Sequence, residues 1–213
     1  RVDNISNSTF KKNNIYLVDS GAQYYDGTTD ITRTIILGNA SEEQKDRFTR
    51  VLKGHIALAS HVFKKGTKGT EIDYLARESL NEIGCDYDHG TGHGIGSFLS
   101  VHEPPQRIAK SSMFDSIELK PGMILSNEPG YYKLNEYGIR IENLLLIKEN
   151  NNDLLYFENL SWSPIDRDLI KKNILNLKEI EWLNNYHKNV LVKLSSYLND
   201  MEKKWLELVT KPL

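Results

Sequence analysis

The sequence is short of the features that would place it in several large classes. It has one cysteine, Cys85, in 213 residues. No internal disulfide can form, and nothing points to an oxidising compartment. Neither sign of charge dominates, since 27 Lys and Arg face 29 Asp and Glu for a net charge of −2. That balance, with a pI of about 6.3 and a mean hydropathy of −0.50, lacks the basic footprint of a nucleic-acid or anionic-lipid binder. No apolar run approaches the roughly 18–20 residues of a membrane span. Low-complexity tracts and short-period repeats are absent as well. The opening residues, with Asp3, Asn4, Ser6 and Asn7, have no apolar signal-peptide core, and the chain starts with Arg1 in place of Met. The expectation is a cytoplasmic segment of a longer protein, holding one domain of roughly 100–200 residues and an addition.

What is present divides near Asn150. Before it, short β-like runs alternate with helices and glycine-rich turns. Ile15–Val18 and the β-branched run Ile31–Leu37 flank Asp26-Gly27, a hairpin signal that pairs two antiparallel strands. Ser41 and Gln44 form a capping box for a helix with apolar residues from Phe48 to Phe63, ended by Gly66. A second helix is expected from Thr70 to Gly84. A glycine-rich stretch (89–96) and a proline-containing loop (103–112) lead to strands at 123–126 and 139–147 and a further strand at 157–162. After the polar turn 150–153, Asn176 with Glu179 and Asn199 with Glu202 cap two terminal helices. This order favours an α+β fold over a doubly wound parallel sheet.

Five residues stand out as a donor set. Asp19 and Asp30 lie eleven apart across the hairpin. His93 sits in the glycine-rich stretch, Glu128 follows the strand at 123–126, and Glu142 interrupts the apolar strand 139–147. Four carboxylates and one imidazole, with no thiolate, suit hard or borderline divalent ions such as Mn²⁺, with Co²⁺, Fe²⁺ and Zn²⁺ as alternatives. A carboxylate buried in an apolar strand is expensive unless it is paired or bound to metal. Arg140, two residues from Glu142 on the same strand face, can orient a carboxylate neighbour. Taken singly, each feature has a plainer reading. An Asp near a turn is a turn residue, a glycine run is a tight bend, His55, His61 and His187 are packed or solvated helix residues, and Cys85 is a small apolar filler.

The set gains weight from its order. Asp19-Ser20-Gly21, Asp30-Ile31-Thr32-Arg33-Thr34, His89-Gly90-Thr91-Gly92-His93-Gly94-Ile95-Gly96, Val101-His102-Glu103, Asn127-Glu128-Pro129-Gly130-Tyr131-Tyr132 and Gly138-Ile139-Arg140-Ile141-Glu142-Asn143 resemble the catalytic domain of the aminopeptidase P (Xaa-Pro aminopeptidase) family. That family belongs to the pita-bread metallopeptidases, with prolidase, creatinase and methionine aminopeptidase. The tail around Trp182–His187 and Trp205 resembles the C-terminal extension of the three-domain members. The resemblance implies a pita-bread fold, a curved antiparallel sheet flanked by helices, lacking its first elements and an upstream active-site histidine. Residues 1–149 would be the catalytic domain and 150–213 the extension, a strand followed by helices.

By the same resemblance, Asp19 ligates one of two divalent ions, Asp30 and Glu142 bridge both, and His93 and Glu128 complete the second. A hydroxide bridging the metals would attack, Glu128 would also handle the proton, His102 would face the peptide carbonyl and His89 the prolyl side. Arg140 would hold a bridging carboxylate, and Tyr131 and Tyr132 would either wall the pocket or simply pack. The implied function is removal of an N-terminal residue that precedes proline, by a protein that is a homodimer at full length and has no nucleic-acid or membrane partner. Methionine aminopeptidase, an X-Pro dipeptidase and an inactive fragment or binding module stand as alternatives. A segment without the first elements is expected to bind metal weakly and hydrolyse X-Pro peptides poorly.

Overall fold

A computed structural model of the chain describes residues 7, 9–97, 100–110 and 117–213. Its first element is a long hairpin, β1 (Asn14–Tyr24) with β2 (Gly27–Leu37). The turn is Tyr25-Asp26, and the register sets Asp19 opposite Thr32 and Gly21 opposite Asp30. Strand parity therefore puts Asp19, Asp30 and Thr32 on one face and Arg33 on the other. The strands run further than the apolar residues alone suggest, because Gly21–Tyr24 and Gly27–Thr29 continue the ladder.

Helix α1 (Glu42–Ala59) starts at the expected capping box, with both reciprocal bonds between Ser41 and Gln44 formed. It stops at Ala59, well short of Gly66. Val62 and Phe63, expected to continue it, form the short strand β3 (Val62–Lys64) instead. Cross-strand pairing wins there: Phe63 sits opposite Leu155, and its ring packs 5.1 Å from that of Phe157. The helix expected at 70–84 is divided into α2 (Gly69–Ile72) and α3 (Tyr74–Asn81) at Asp73. Asp73 turns its carboxylate inward to Arg77 Nε at 2.6 Å and to Thr91 Oγ1 at 2.5 Å.

The two-residue strands β4 (Gly92–His93) and β5 (Arg107–Ile108) form a small ladder beside the site. Of the loop expected at 103–112, residues 111 and 112 lie outside the described residues. Strand β6 (Ile124–Asn127) precedes a ribbon of β7 (Gly130–Lys133) and β8 (Tyr137–Arg140). Next come β9 (Asn143–Glu149) and β10 (Leu154–Asn159), so the last strand starts three residues earlier than expected. The main sheet is antiparallel, in the order β3-β10-β9-β6.

One correction matters for the site. The run 139–147 is not one strand: Ile141 and Glu142 form a break between β8 and β9. At the break the chain changes partners. The β8 strand pairs with β7, whereas β9 pairs with β6 and β10. Glu142 N leaves the ladder to donate to Thr32 O at 3.1 Å.

Short 3₁₀ turns lead to α4 (Leu177–Leu194) and α5 (Asp200–Val209), both begun by the expected asparagine caps. These helices share a core with the earlier elements, in which Phe48, Leu52 and Ile139 pack with Leu183, Val190 and Leu206. A second core, with Leu58, Ile108, Leu125, Leu145 and Leu155, lies against the sheet, and Trp182 packs on both. Burying such side chains contributes about 1.5–3 kcal/mol each. Among the described residues, no helix is long and apolar enough to cross a membrane.

Candidate metal centre

Three elements bring the central donors together. Asp30 comes from β2, His93 from β4, and Glu142 from the break before β9. One donor atom from each lies within 4.8 Å of the other two. Glu128, just after β6, joins them: its Oε1 is 3.3 Å from His93 Nε2, which is 3.5 Å from Asp30 Oδ2. Asp19 stands at the more exposed edge, on the same hairpin face as Asp30.

Local folding explains these placements. His93 is flanked by Gly92 and Gly94, which are more than a bend. A Cβ at Gly92 would lie 2.0 Å from Ser126 O, and one at Gly94 would lie 2.1 Å from Glu103 O. Only glycine lets β4 approach β6 and the 103 loop so closely. Ser126 then ties two donors together: its Oγ accepts from His93 N at 2.9 Å and donates to Glu128 Oε1 at 3.0 Å. Glu128 N donates to Thr91 O at 2.8 Å. Glu142 is gripped by Thr32, whose Oγ1 donates to Oε2 at 2.6 Å.

The electrostatics are those of an anionic cluster. Burial, reinforced by Glu128, Asp30 and Asp19, pushes the Glu142 carboxyl up to about 8. Burial also raises Glu128, although His93 and Ser126 oppose it. For His93, burial works against protonation, but Asp30, Gly94 O and Glu128 outweigh it and raise the imidazole. Two like charges about 4 Å apart repel by roughly 4 kcal/mol at an effective dielectric near 20. Four carboxylates with one imidazole therefore fit two divalent cations: the donors are hard or borderline, Asp30, His93 and Glu142 converge with Glu128 beside them, and burial disfavours ionisation of Glu128 and Glu142 without a counter-charge.

Arg140 lies beside this cluster with a different partner from the one expected. Its Nη2 donates to Asp19 Oδ2 at 2.6 Å, while its Nε donates to Thr32 Oγ1 at 3.1 Å. It thus holds Asp19, lies 3.9 Å from Glu128 Oε2 through its Nε, and reaches Glu142 through Thr32. Tyr132 donates and accepts at the rim, with its Oη 2.8 Å from His89 Nε2 and 3.0 Å from Arg140 Nη1. Tyr131 points the other way, toward Tyr137 and the Arg47 guanidinium 5.6 Å from its ring. Adjacent strand residues face opposite sides, so only one of the two tyrosines can reach the site.

A cleft of about 610 Å³ opens onto the cluster, lined by His89, His93, His102, Pro104, Arg107 and Glu128 among others. The His102 ring meets that of His93 edge-on at 4.0 Å. Burial lowers the His89 imidazole, and its Nδ1 meets Gly90 O at 2.8 Å.

Thr32, inside a motif but given no role there, and Ser126, outside the motifs, hold Glu142 and Glu128. Each sits two residues along a strand from a candidate ligand, Asp30 or Glu128, so strand periodicity was the available signal. Of the other histidines, His55 and His187 are fully buried, and His61 stacks on Phe63. Cys85 is half-buried against the first core.

Comparison with known proteins gives a consistent answer. The profile of metallopeptidase family M24 matches residues 2–149, and that of the C-terminal region of peptidase M24 matches residues 153–213. A probable Xaa-Pro aminopeptidase P of Botryotinia fuckeliana is 45% identical over 97% of the chain and 33% of its own length. Aminopeptidase P1 of Arabidopsis thaliana is 43% identical over 93% of the chain and 32% of its own. The chain thus spans about a third of the curated relatives it matches. The crystal structure of the Caenorhabditis elegans X-prolyl aminopeptidase, described as a cytosolic enzyme with a di-nuclear active site, superposes with a TM-score of 0.87 at 41% identity, covering 93% of this chain and 34% of that one. Prolidase from Pyrococcus furiosus gives 0.64 at 33% identity, over 74% of this chain and 44% of that one.

Proposed function

This chain belongs to metallopeptidase family M24 and has its pita-bread α+β fold, and from that premise we propose a metal-dependent aminopeptidase that removes an N-terminal residue preceding proline. The observation that carries the proposal is the convergence of Asp30, His93 and Glu142, with Glu128 3.3 Å from His93, beside a cleft of about 610 Å³ that His93 and Glu128 line. Asp19, Asp30, His93, Glu128 and Glu142 would hold two divalent cations, with Mn²⁺ favoured by the oxygen-rich donor set. Bound there, the cations would supply Lewis acidity and an activated water.

The remaining chemistry falls to the chain's own side chains. Glu128 takes a proton from the activated water on a carboxylate oxygen and returns it to the departing prolyl nitrogen. His102 donates to the oxygen on which charge develops. His89, held between Gly90 O and Tyr132 Oη, borders the prolyl side. Arg140 and Thr32 keep Asp19 and Glu142 in orientation. Residues 1–149 would form the catalytic unit and 150–213 its C-terminal extension, in a cytoplasmic homodimer.

The tail supports the aminopeptidase branch over prolidase, since the X-prolyl aminopeptidase structure covers 93% of the chain and the prolidase 74%. The test compares Ala-Pro-Ala, the dipeptide Ala-Pro and Met-Ala-Ser as substrates of the Mn²⁺-loaded full-length protein. Release of alanine from Ala-Pro-Ala, with little from the other two, is expected. Preference for either competitor overturns the X-Pro specificity.

A further inference from the structure

The back face of β2 holds a cation that the proposed chemistry does not use. Arg33 is 7% exposed, yet no carboxylate pairs with it among the described residues. The five N–H groups of its guanidinium face six neutral acceptors instead, three of them sharing the two hydrogens of Nη2. Four are backbone carbonyls: Thr32 O at 2.8 Å, Glu142 O at 2.7 Å, Ser163 O at 2.9 Å and Pro164 O at 3.0 Å. The others are Asn143 Oδ1 at 2.8 Å and Tyr186 Oη at 2.8 Å. A buried cation is costly without counter-charge. Here the carbonyl, amide and phenol dipoles converging on the guanidinium do that work.

These contacts bracket one residue. From the front of β2, Thr32 Oγ1 holds the Glu142 carboxylate and Thr32 O accepts Glu142 N. From the back, Arg33 holds the Glu142 carbonyl and the neighbouring Asn143 side chain. Arg33 is in turn fixed from α4. The Tyr186 ring lies between Trp162, 5.5 Å away with a 21° interplanar angle, and Trp182, 5.3 Å away at 3°. That stack leaves the phenol little freedom. Its oxygen also accepts from Ser163 N at 3.3 Å and lies 3.0 Å from Ser163 O.

We propose that Arg33 and Tyr186 are positioning residues for the metal centre, through which the C-terminal helix α4 sets the place of the Glu142 carboxylate. The relay runs from the Trp162–Tyr186–Trp182 stack to the Arg33 fork and on to Glu142 O. Arginine is required because a lysine ammonium has three donors and cannot span the same acceptors. The proposal rests on the reading that Glu142 is a metal ligand.

The test titrates the purified protein, Tyr186→Phe and Arg33→Lys with Co²⁺, by calorimetry and by the visible absorption of the bound ion. Tyr186→Phe keeps the ring stack and loses only the hydroxyl, so it carries the test should Arg33→Lys fail to fold. The expected result is two ions bound by the wild type. In the variants, affinity for at least one ion falls about 10–100-fold and the absorption band shifts. Unchanged affinity and spectrum in Tyr186→Phe would overturn the proposal, whatever happens to its melting temperature, because the hydrogen bond would then be purely structural. Failure of the wild type to bind Co²⁺ would instead overturn the metal reading beneath it.

Discussion

The two faces of β2 solve the problem of buried charge in opposite ways. On the back, Arg33 is surrounded by carbonyls, an amide and a phenol that satisfy it permanently. On the front, Asp30 and Glu142 crowd with Glu128 around a single imidazole, and burial drives Glu142 up to about 8. The back face is finished by the fold, whereas the front face is finished only by something the chain binds. Buried polar groups that are fully paired make structure, and those left under-compensated mark the chemistry.

Removing a donor from the front should have the largest effect. Glu142→Ala is expected to lower kcat on Ala-Pro-Ala by on the order of 10³-fold, equivalent to about 4 kcal/mol of barrier. The folded state should survive, because an under-compensated carboxylate has been deleted. Urea unfolding of the metal-free variant checks this and should show equal or greater stability than wild type.

Breaking the back should reverse that pattern. Arg33→Met strips several buried acceptors of their donor and should destabilise the metal-free protein by about 3–5 kcal/mol in urea unfolding. A loss no larger than that of an ordinary surface substitution would mean that the six contacts are not needed for stability.

The faces should also respond oppositely to pH. The Glu142 carboxyl is raised in the fold from 4.5 to about 8, so the metal-free fold binds a proton that the unfolded chain lacks between those values. Stability should then fall as pH rises through that window, by up to about 1.4 kcal/mol per unit. On the Arg33 side, burial and the nearby cation push His55 down to about 3, and burial, Arg167 and Arg33 push His187 down to about 4. Both stay neutral in the fold, so their contribution is lost as pH falls below 6.5 toward those values. The metal-free protein should therefore be most stable near pH 6.5. Metal loading should abolish the decline between 6.5 and 8, and melting curves with and without Mn²⁺ read this directly.

A smaller effect is expected at the rim. Tyr132→Phe removes one hydroxyl shared by His89 and Arg140, and should raise KM for Ala-Pro-Ala by about 3–10-fold. Metal stoichiometry should not change, because Tyr132 touches no candidate ligand.

Local signals made much of this legible in the sequence. Ser41, Asn176 and Asn199 announced their helices through side chains three residues apart, and Asp26-Gly27 announced the hairpin. The five candidate donors each sit in a short motif of their own, and three of them, Asp30, His93 and Glu142, converge in the fold. What stayed hidden depends on distant partners. Val62 and Phe63 have helical spacing and leave the helix because Leu155 pairs with Phe63. Glu142 looked like part of a continuous strand, and the break arises from Thr32, more than a hundred residues earlier. Arg33 reads as an ordinary strand residue until Tyr186 folds back on it. In each case a tertiary contact overrides the local pattern.

A cluster completed by two divalent cations is visible to native mass spectrometry of the purified protein titrated with Mn²⁺. Two ions per chain are expected in the wild type and fewer than two in Glu142→Ala. A wild-type protein that retains none, or an unchanged count in the variant, would contradict that expectation.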